Sequence, residues 1–271
     1  MNPVNEKLPP LLAADEPEPV SVYRPHGRSA YFLTCDHASN RIPRALGDMG
    51  LSAAELQRHI AWDIGALAVA KRMSDALDAT LVYQNYSRLV IDCNRSPGVP
   101  AAIPEISEHT TIPANLNLTA AEAQRRERAI HTPYHQCIQD VMEQRAAAQQ
   151  PSLYVAMHSY TPVFKGSQRH WHMSVMYHRD RRLAALLLDS INATAPHLVV
   201  GDNEPYHVDD KTDYGIPVHG EKRGIPHVLI ELRQDLIEHE AGQQEWAERC
   251  TDWLQRMLPR MQEVLPNWPD A

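Results

Sequence analysis

The stretch AYFLTCDHASNRIP, residues 30–43, changes character at its midpoint. Its first half is a short, continuous apolar run, which suits a strand buried on both faces. Its second half brings an acid, a histidine, a serine, an amide and an arginine within six positions. Six further runs have the same apolar strand character: ATLVYQ (79–84), RLVIDC (88–93), SLYVAM (152–157), MSVMYH (173–178), HLVVG (197–201) and HVLIEL (227–232). Helical patterns lie between them. Ser52 and Glu55 form a capping box ahead of residues 56–77, and Thr119 and Glu122 form another ahead of 121–148, where Pro133 is expected to kink or split the helix. Residues 181–195 and 239–261 supply two more helices. Strands alternating with helices predict one α/β domain with a largely parallel sheet, over residues 26–265. Residues 1–25, rich in proline and acids, read as a flexible N-terminal arm.

The bulk numbers narrow the function. A net charge of -8 and a pI of about 6.0 offer no basic face for nucleic acid. No apolar run approaches a membrane span, and no secretory leader is apparent, so a cytoplasmic protein is expected. The cysteines at 35, 93, 137 and 250 form no CxxC pair, which excludes a zinc ribbon or a dithiol redox motif. Oligomeric state is not legible.

In open α/β sheets, ligands gather beyond the carboxyl ends of the strands. Those ends carry Asp36, His37, Ser39 and Asn40; Asp92, Asn94 and Arg95; His158 and Ser159; Glu231 and Arg233. Two histidines and a carboxylate on zinc, with a second carboxylate as base, equip a metal-dependent hydrolase. Asp63 lies in an apolar stretch, IAWDIGALAVA, and is costly there unless paired or coordinated. As helix residues at i and i+4, His59 and Asp63 are expected to share a face. The bland alternatives are an ion pair of Glu231 with Arg233, one of Arg88 with Asp92, and an exposed loop position for His219.

Five ordered motifs carry a resemblance: CDHASNRIP, HIAWDIGA, SRLVIDCNRSP, MHSYTP and HGEKRGIPHVLIELRQDLI. Together they resemble the N-formylglutamate amidohydrolase family over residues 25–260. The resemblance implies a three-layer α/β/α fold with a mostly parallel mixed sheet, similar to zinc carboxypeptidases and phosphorylase/hydrolase-like domains. It implies zinc, and a small-molecule amide as substrate. His37 matches the first histidine of the carboxypeptidase His-x-x-Glu motif, but Asn40 stands where the acid would be. Asp63 is the preferred substitute, with Asn40 and Asp36 as alternatives. His158 matches the later histidine ligand and Glu231 the base. Arg88 and Arg95, with Arg233 as a third, are the candidates to stabilise the oxyanion or to grip a substrate carboxylate, with Arg88 preferred for the oxyanion; Ser39, Asn40, Arg95, His219 and Arg233 are the expected substrate contacts. A metal-free binding protein on this scaffold and a small peptidase remain the alternatives.

Overall fold

The structure, a computed structural model, describes residues 8–265 and Trp268. The strands are β1 (Val20–Tyr23), β2 (Tyr31–Cys35), β3 (Thr80–Gln84), β4 (Ile106–Ser107), β5 (Thr110–Thr111), β6 (Leu153–Tyr160), β7 (Val163–Phe164), β8 (Ser167–Gln168), β9 (Met173–Met176), β10 (Val200–Asp202) and β11 (His227–Arg233). Seven form one sheet in the order β1-β3-β2-β6-β11-β9-β10. β3, β2, β6 and β11 run parallel; β1 and β9 lie antiparallel to their neighbours β3 and β11.

Alternation along the strands builds three layers. Tyr31, Leu33 and Cys35 face one side, where helices α2 (Ala66–Leu77), α5 (Arg182–Thr194) and α6 (Glu240–Met257) close a core. Phe32, Val82, Tyr154, Ala156 and Leu229 face the other side, against Tyr134, Ile138 and Met142 of helix α4 (Thr132–Ala147). The buried apolar positions of α2, Ala66, Val69, Ala70, Met73 and Leu77, keep the spacing of one helical face. The expected break at Pro133 takes the form of a π-helical turn, Glu127–His131, between α3 (Ala120–Arg126) and α4.

Three expectations need correction. Residues 57–65 are not helical. After the short helix α1 (Ala53–Leu56) the chain turns, and α2 starts only at Ala66. Gly65 sets that start. Its φ is +79°, and a Cβ there would lie 2.2 Å from the Ile237 carbonyl oxygen. His59 and Asp63 therefore share no helix face. RLVIDC is buried but not a strand: its amides bond locally or across loops, Val90 to Ser87 and Asp92 to Ala102. A short apolar run does not distinguish a strand from other buried chain. The expected arm lies partly in residues 1–7, outside the described residues. Of the remainder, Val20–Tyr23 is a strand of the sheet and Leu11 is buried.

Candidate functional site

β2, β6 and β11 are consecutive neighbours, so their carboxyl ends converge. Glu231 pairs in register with His158. Thr34 pairs with Ala156, which carries Asp36 towards His158 two residues on. All three project to the α4 face, by the same alternation that sends Tyr154 and Leu229 there. His37 follows directly after the strand turn. Its carbonyl accepts the Asp63 amide at 2.9 Å, which pins the 57–65 turn against the end of β2.

Asp63 sits at the centre. Its Oδ2 accepts from His37 Nδ1 at 3.3 Å, His158 Nδ1 at 2.9 Å and the Ser159 amide at 3.2 Å. The second nitrogen of each ring turns to another carboxylate. His37 Nε2 lies 2.7 Å from Asp92 Oδ1, and His158 Nε2 lies 3.4 Å from Asp36 Oδ2. Tyr134 donates to Asp36 from α4, and Arg88 Nη2 donates to Asp92 Oδ2 at 2.6 Å. All five of His37, His158, Asp36, Asp63 and Asp92 are buried. Ligand atoms of His37, Asp63 and His158 lie within 4.8 Å of one another. Three donors about 2.0–2.2 Å from one ion sit roughly 3.3 Å apart, close to the contacts seen here. Carboxylates on the outer nitrogens leave both Nδ1 atoms for an ion, the usual arrangement behind metal-bound histidine. The donor set thus fits a divalent metal.

Electrostatics follow from this packing. Burial would lower the His158 pKa, but its bonds to Asp36 and Asp63 outweigh burial and raise it to about 10. His37 is raised in the same sense by Asp92 and Asp63, against burial and the Arg88 charge. Burial opposes ionisation of Asp63, yet the two histidines hold its pKa below the ordinary carboxylate range. Glu231 differs. Burial pushes its pKa up against the nearby charges of His158 and Arg169, and among the described residues no arginine forms an ion pair with it. Both its carboxylate oxygens accept from the Tyr206 hydroxyl at 2.9 Å.

A cleft of about 880 Å³ opens onto this cluster, with Asp63, Arg88, Asp92, Arg95, Arg169 and Tyr206 in its lining. Arg88 is committed to Asp92 and Asp63, and Arg95 to the Asn94 carbonyl and Asp213. The other expected substrate contacts lie elsewhere. Ser39 Oγ accepts the Arg41 amide, and Asn40 donates to the Leu56 carbonyl, so both shape the turn after β2. Arg233 does not meet Glu231; it pairs with Asp235 and reaches the carbonyls of residues 169–171. His219 is no exposed loop residue. It is buried in a π-helical turn, Ile216–Gly220, with its Nε2 2.9 Å from His135 Nδ1. Tyr134, Arg169 and Tyr206 join the site unannounced, and Asp92 joins it in a role behind His37 that the sequence did not give it. Asp92 looked like half of a plain ion pair, and nothing near Tyr206 in sequence points to Glu231.

Comparison with known proteins agrees with this architecture. The family model for N-formylglutamate amidohydrolase matches residues 29–238. The gene product Atu2144 from Agrobacterium tumefaciens has a crystal structure that matches at 36% identity and a TM-score of 0.90, over 93% of this chain and 99% of that one. The crystal structure of N-formylglutamate amidohydrolase from Ralstonia eutropha JMP134 matches at 18% identity and a TM-score of 0.64, over 91% and 99%, a likeness of fold. No curated protein matches the chain. The chain belongs to the N-formylglutamate amidohydrolase family.

Proposed function

We propose that this member of an amidohydrolase family hydrolyses the C–N bond of an N-formyl or N-acyl amino acid, or a related small amide, with zinc held by His37, Asp63 and His158. The observation that carries the reading is the pair of Nδ1 atoms converging on Asp63 Oδ2, with Glu231 in register beside His158. Bound there, zinc would supply Lewis acidity towards the amide carbonyl and acidify a water.

The chain's residues do the rest. Asp92 and Asp36 hold the imidazoles by their outer nitrogens and keep both Nδ1 lone pairs inward. Arg88 steadies Asp92 and Asp63 from the cleft side, and is a positioning group more than a free oxyanion donor. Glu231, its pKa raised by burial, takes the proton of the attacking water and passes it to the departing nitrogen. The Tyr206 hydroxyl must give up one oxygen of Glu231 for this step. Burial of Glu231 without an arginine favours a base over a structural ion pair.

A metal-free binding protein is the second reading. Protonated His37 and His158 would balance the carboxylates around them. Hydrolysis of N-formyl amino acids assayed with and without zinc separates the two. Zinc-dependent turnover supports the hydrolase; tight binding with no turnover in either condition supports the alternative. The reading implies no nucleic-acid or membrane partner, and among the described residues no helix is long and apolar enough to cross a membrane.

A further inference from the structure

The cleft contains three arginines, and their commitments differ. Arg88 has two carboxylate partners and Arg95 has one. Among the described residues, no carboxylate pairs with Arg169. Its guanidinium instead lies over three rings, with its carbon 4.8 Å from the Phe164 centroid, 5.4 Å from Tyr160 and 5.6 Å from Tyr206. Stacking of this kind orients the guanidinium plane and leaves its N–H edges for an anion.

The surrounding chain is built to hold that position. β7 and β8 form a hairpin directly after β6, turned at Lys165 and Gly166, both with positive φ. The Arg169 amide donates back to the Pro162 carbonyl at 2.8 Å, across the base of the hairpin. Arg233 reaches the carbonyls of residues 169, 170 and 171 from below, each at 3.4 Å. The Lys165 amide reaches Glu108 on the opposite wall. Glu108 is itself taken by Arg58, and Glu105 also lines the cleft.

One tyrosine links this cation to the chemistry. Arg169 stacks on the Tyr206 ring, and the Tyr206 hydroxyl bonds Glu231. Tyr206 thus stands between the cation and the base, with its ring facing one and its hydroxyl on the other. In an N-acyl amino acid the carboxylate of the amine half is set off from the scissile nitrogen by the carbons between them, so an anion receptor on the far side of Tyr206 from the base can read it.

We propose that Arg169 is the specificity-determining anion receptor of the cleft, binding a carboxylate on the amine half of the substrate while the amide lies between Glu231 and the His37–Asp63–His158 cluster. The assignment rests on the hydrolase reading for the identity of the ligand, but not for the existence of the receptor. It makes amino-acid amides poor ligands and free acids good ones.

The test uses the full chain and three probes: N-formyl-L-glutamate, its α-carboxamide, and N-formyl-L-glutamine. The last two each lack one carboxylate, so the pair identifies which carboxylate is read. Binding is measured by calorimetry and turnover in parallel, on wild type, Arg169→Met and Arg169→Lys. Wild type should bind one of the two amides at least about 10-fold more weakly than the diacid, as loss of a charge-assisted bond requires. Arg169→Met should weaken the diacid by a similar factor and leave that amide within about 3-fold. Arg169→Lys should fall between, because an ammonium cannot make the two-pronged contact. In turnover the loss should appear in KM more than in kcat. Carboxylate discrimination that persists in Arg169→Met overturns the proposal, as does wild type that binds none of the probes or all three alike. Arg169-dependent binding without hydrolysis keeps the receptor and sinks the hydrolase reading. Hydrolysis with unchanged KM in Arg169→Met does the reverse.

Discussion

Glu231 and His158 are neighbours across two strands, and both pKa values are raised, but for different reasons: two carboxylates favour the charged form of His158, whereas burial disfavours the charged form of Glu231. His158 is held between two carboxylates, while the side-chain hydrogen bonds of Glu231 among the described residues come from the Tyr206 phenol. Glu231→Gln keeps the shape and removes the proton acceptor. Metal should stay bound while kcat falls roughly 10²–10⁴-fold; near wild-type turnover would return Glu231 to a structural role. Asp92→Asn and Asp36→Asn probe the outer nitrogens of the histidines. Zinc affinity should drop about 10–100-fold in each, the usual cost of losing such a partner, and a competition titration with a chelator reads it. The buried histidine behind the site predicts acid sensitivity. Burial depresses the His219 pKa to about 4, below the usual value near 6.5. The unfolded chain therefore binds the proton first as pH falls. His219 stabilises the neutral-pH fold fully above about 6.5, and that contribution is lost as pH drops towards 4. In the metal-free chain, Tm should fall across this window. His219→Gln should flatten the fall; an unchanged slope assigns the acid sensitivity to other groups.

At the scale of elements, strands β2, β6 and β11 were readable because each is short, continuously apolar and ends in polar chemistry. Helices α5 and α6 were readable from their periodicity. RLVIDC failed because burial alone makes a run apolar, whatever its backbone does. Residues 57–65 failed for a better reason. A helix through Asp63 agrees with local propensity, but the close approach of Ile237 at Gly65 forbids it, and that contact is 172 residues away in the chain. The resulting turn is what brings Asp63 over the ends of β2 and β6, so the misread segment is the one that completes the site. Gly65→Ala should cost about 1–3 kcal/mol from its left-handed φ alone, with the clash at Ile237 added. A denaturant midpoint no lower than wild type would show that this turn is not under that constraint.

For the whole molecule, one α/β domain with a largely parallel sheet was legible from alternation of element types, its three layers from the family resemblance, and His37, Asp63 and His158 were legible as residues without their geometry. Packing supplied the rest: Asp36 and Asp92 behind the rings, Tyr206 on the base, Arg169 on the hairpin. None of these follows from spacing, because each contact joins segments far apart in sequence. The central claim is that the three buried side chains form one metal site. Zinc content of the folded chain, purified and then dialysed against excess zinc and buffer, tests it most directly in wild type and Asp63→Asn. The account predicts about one zinc per chain in wild type and almost none in the variant, with both chains giving the same circular dichroism spectrum. Stoichiometric zinc in folded Asp63→Asn, or none in wild type, would contradict it.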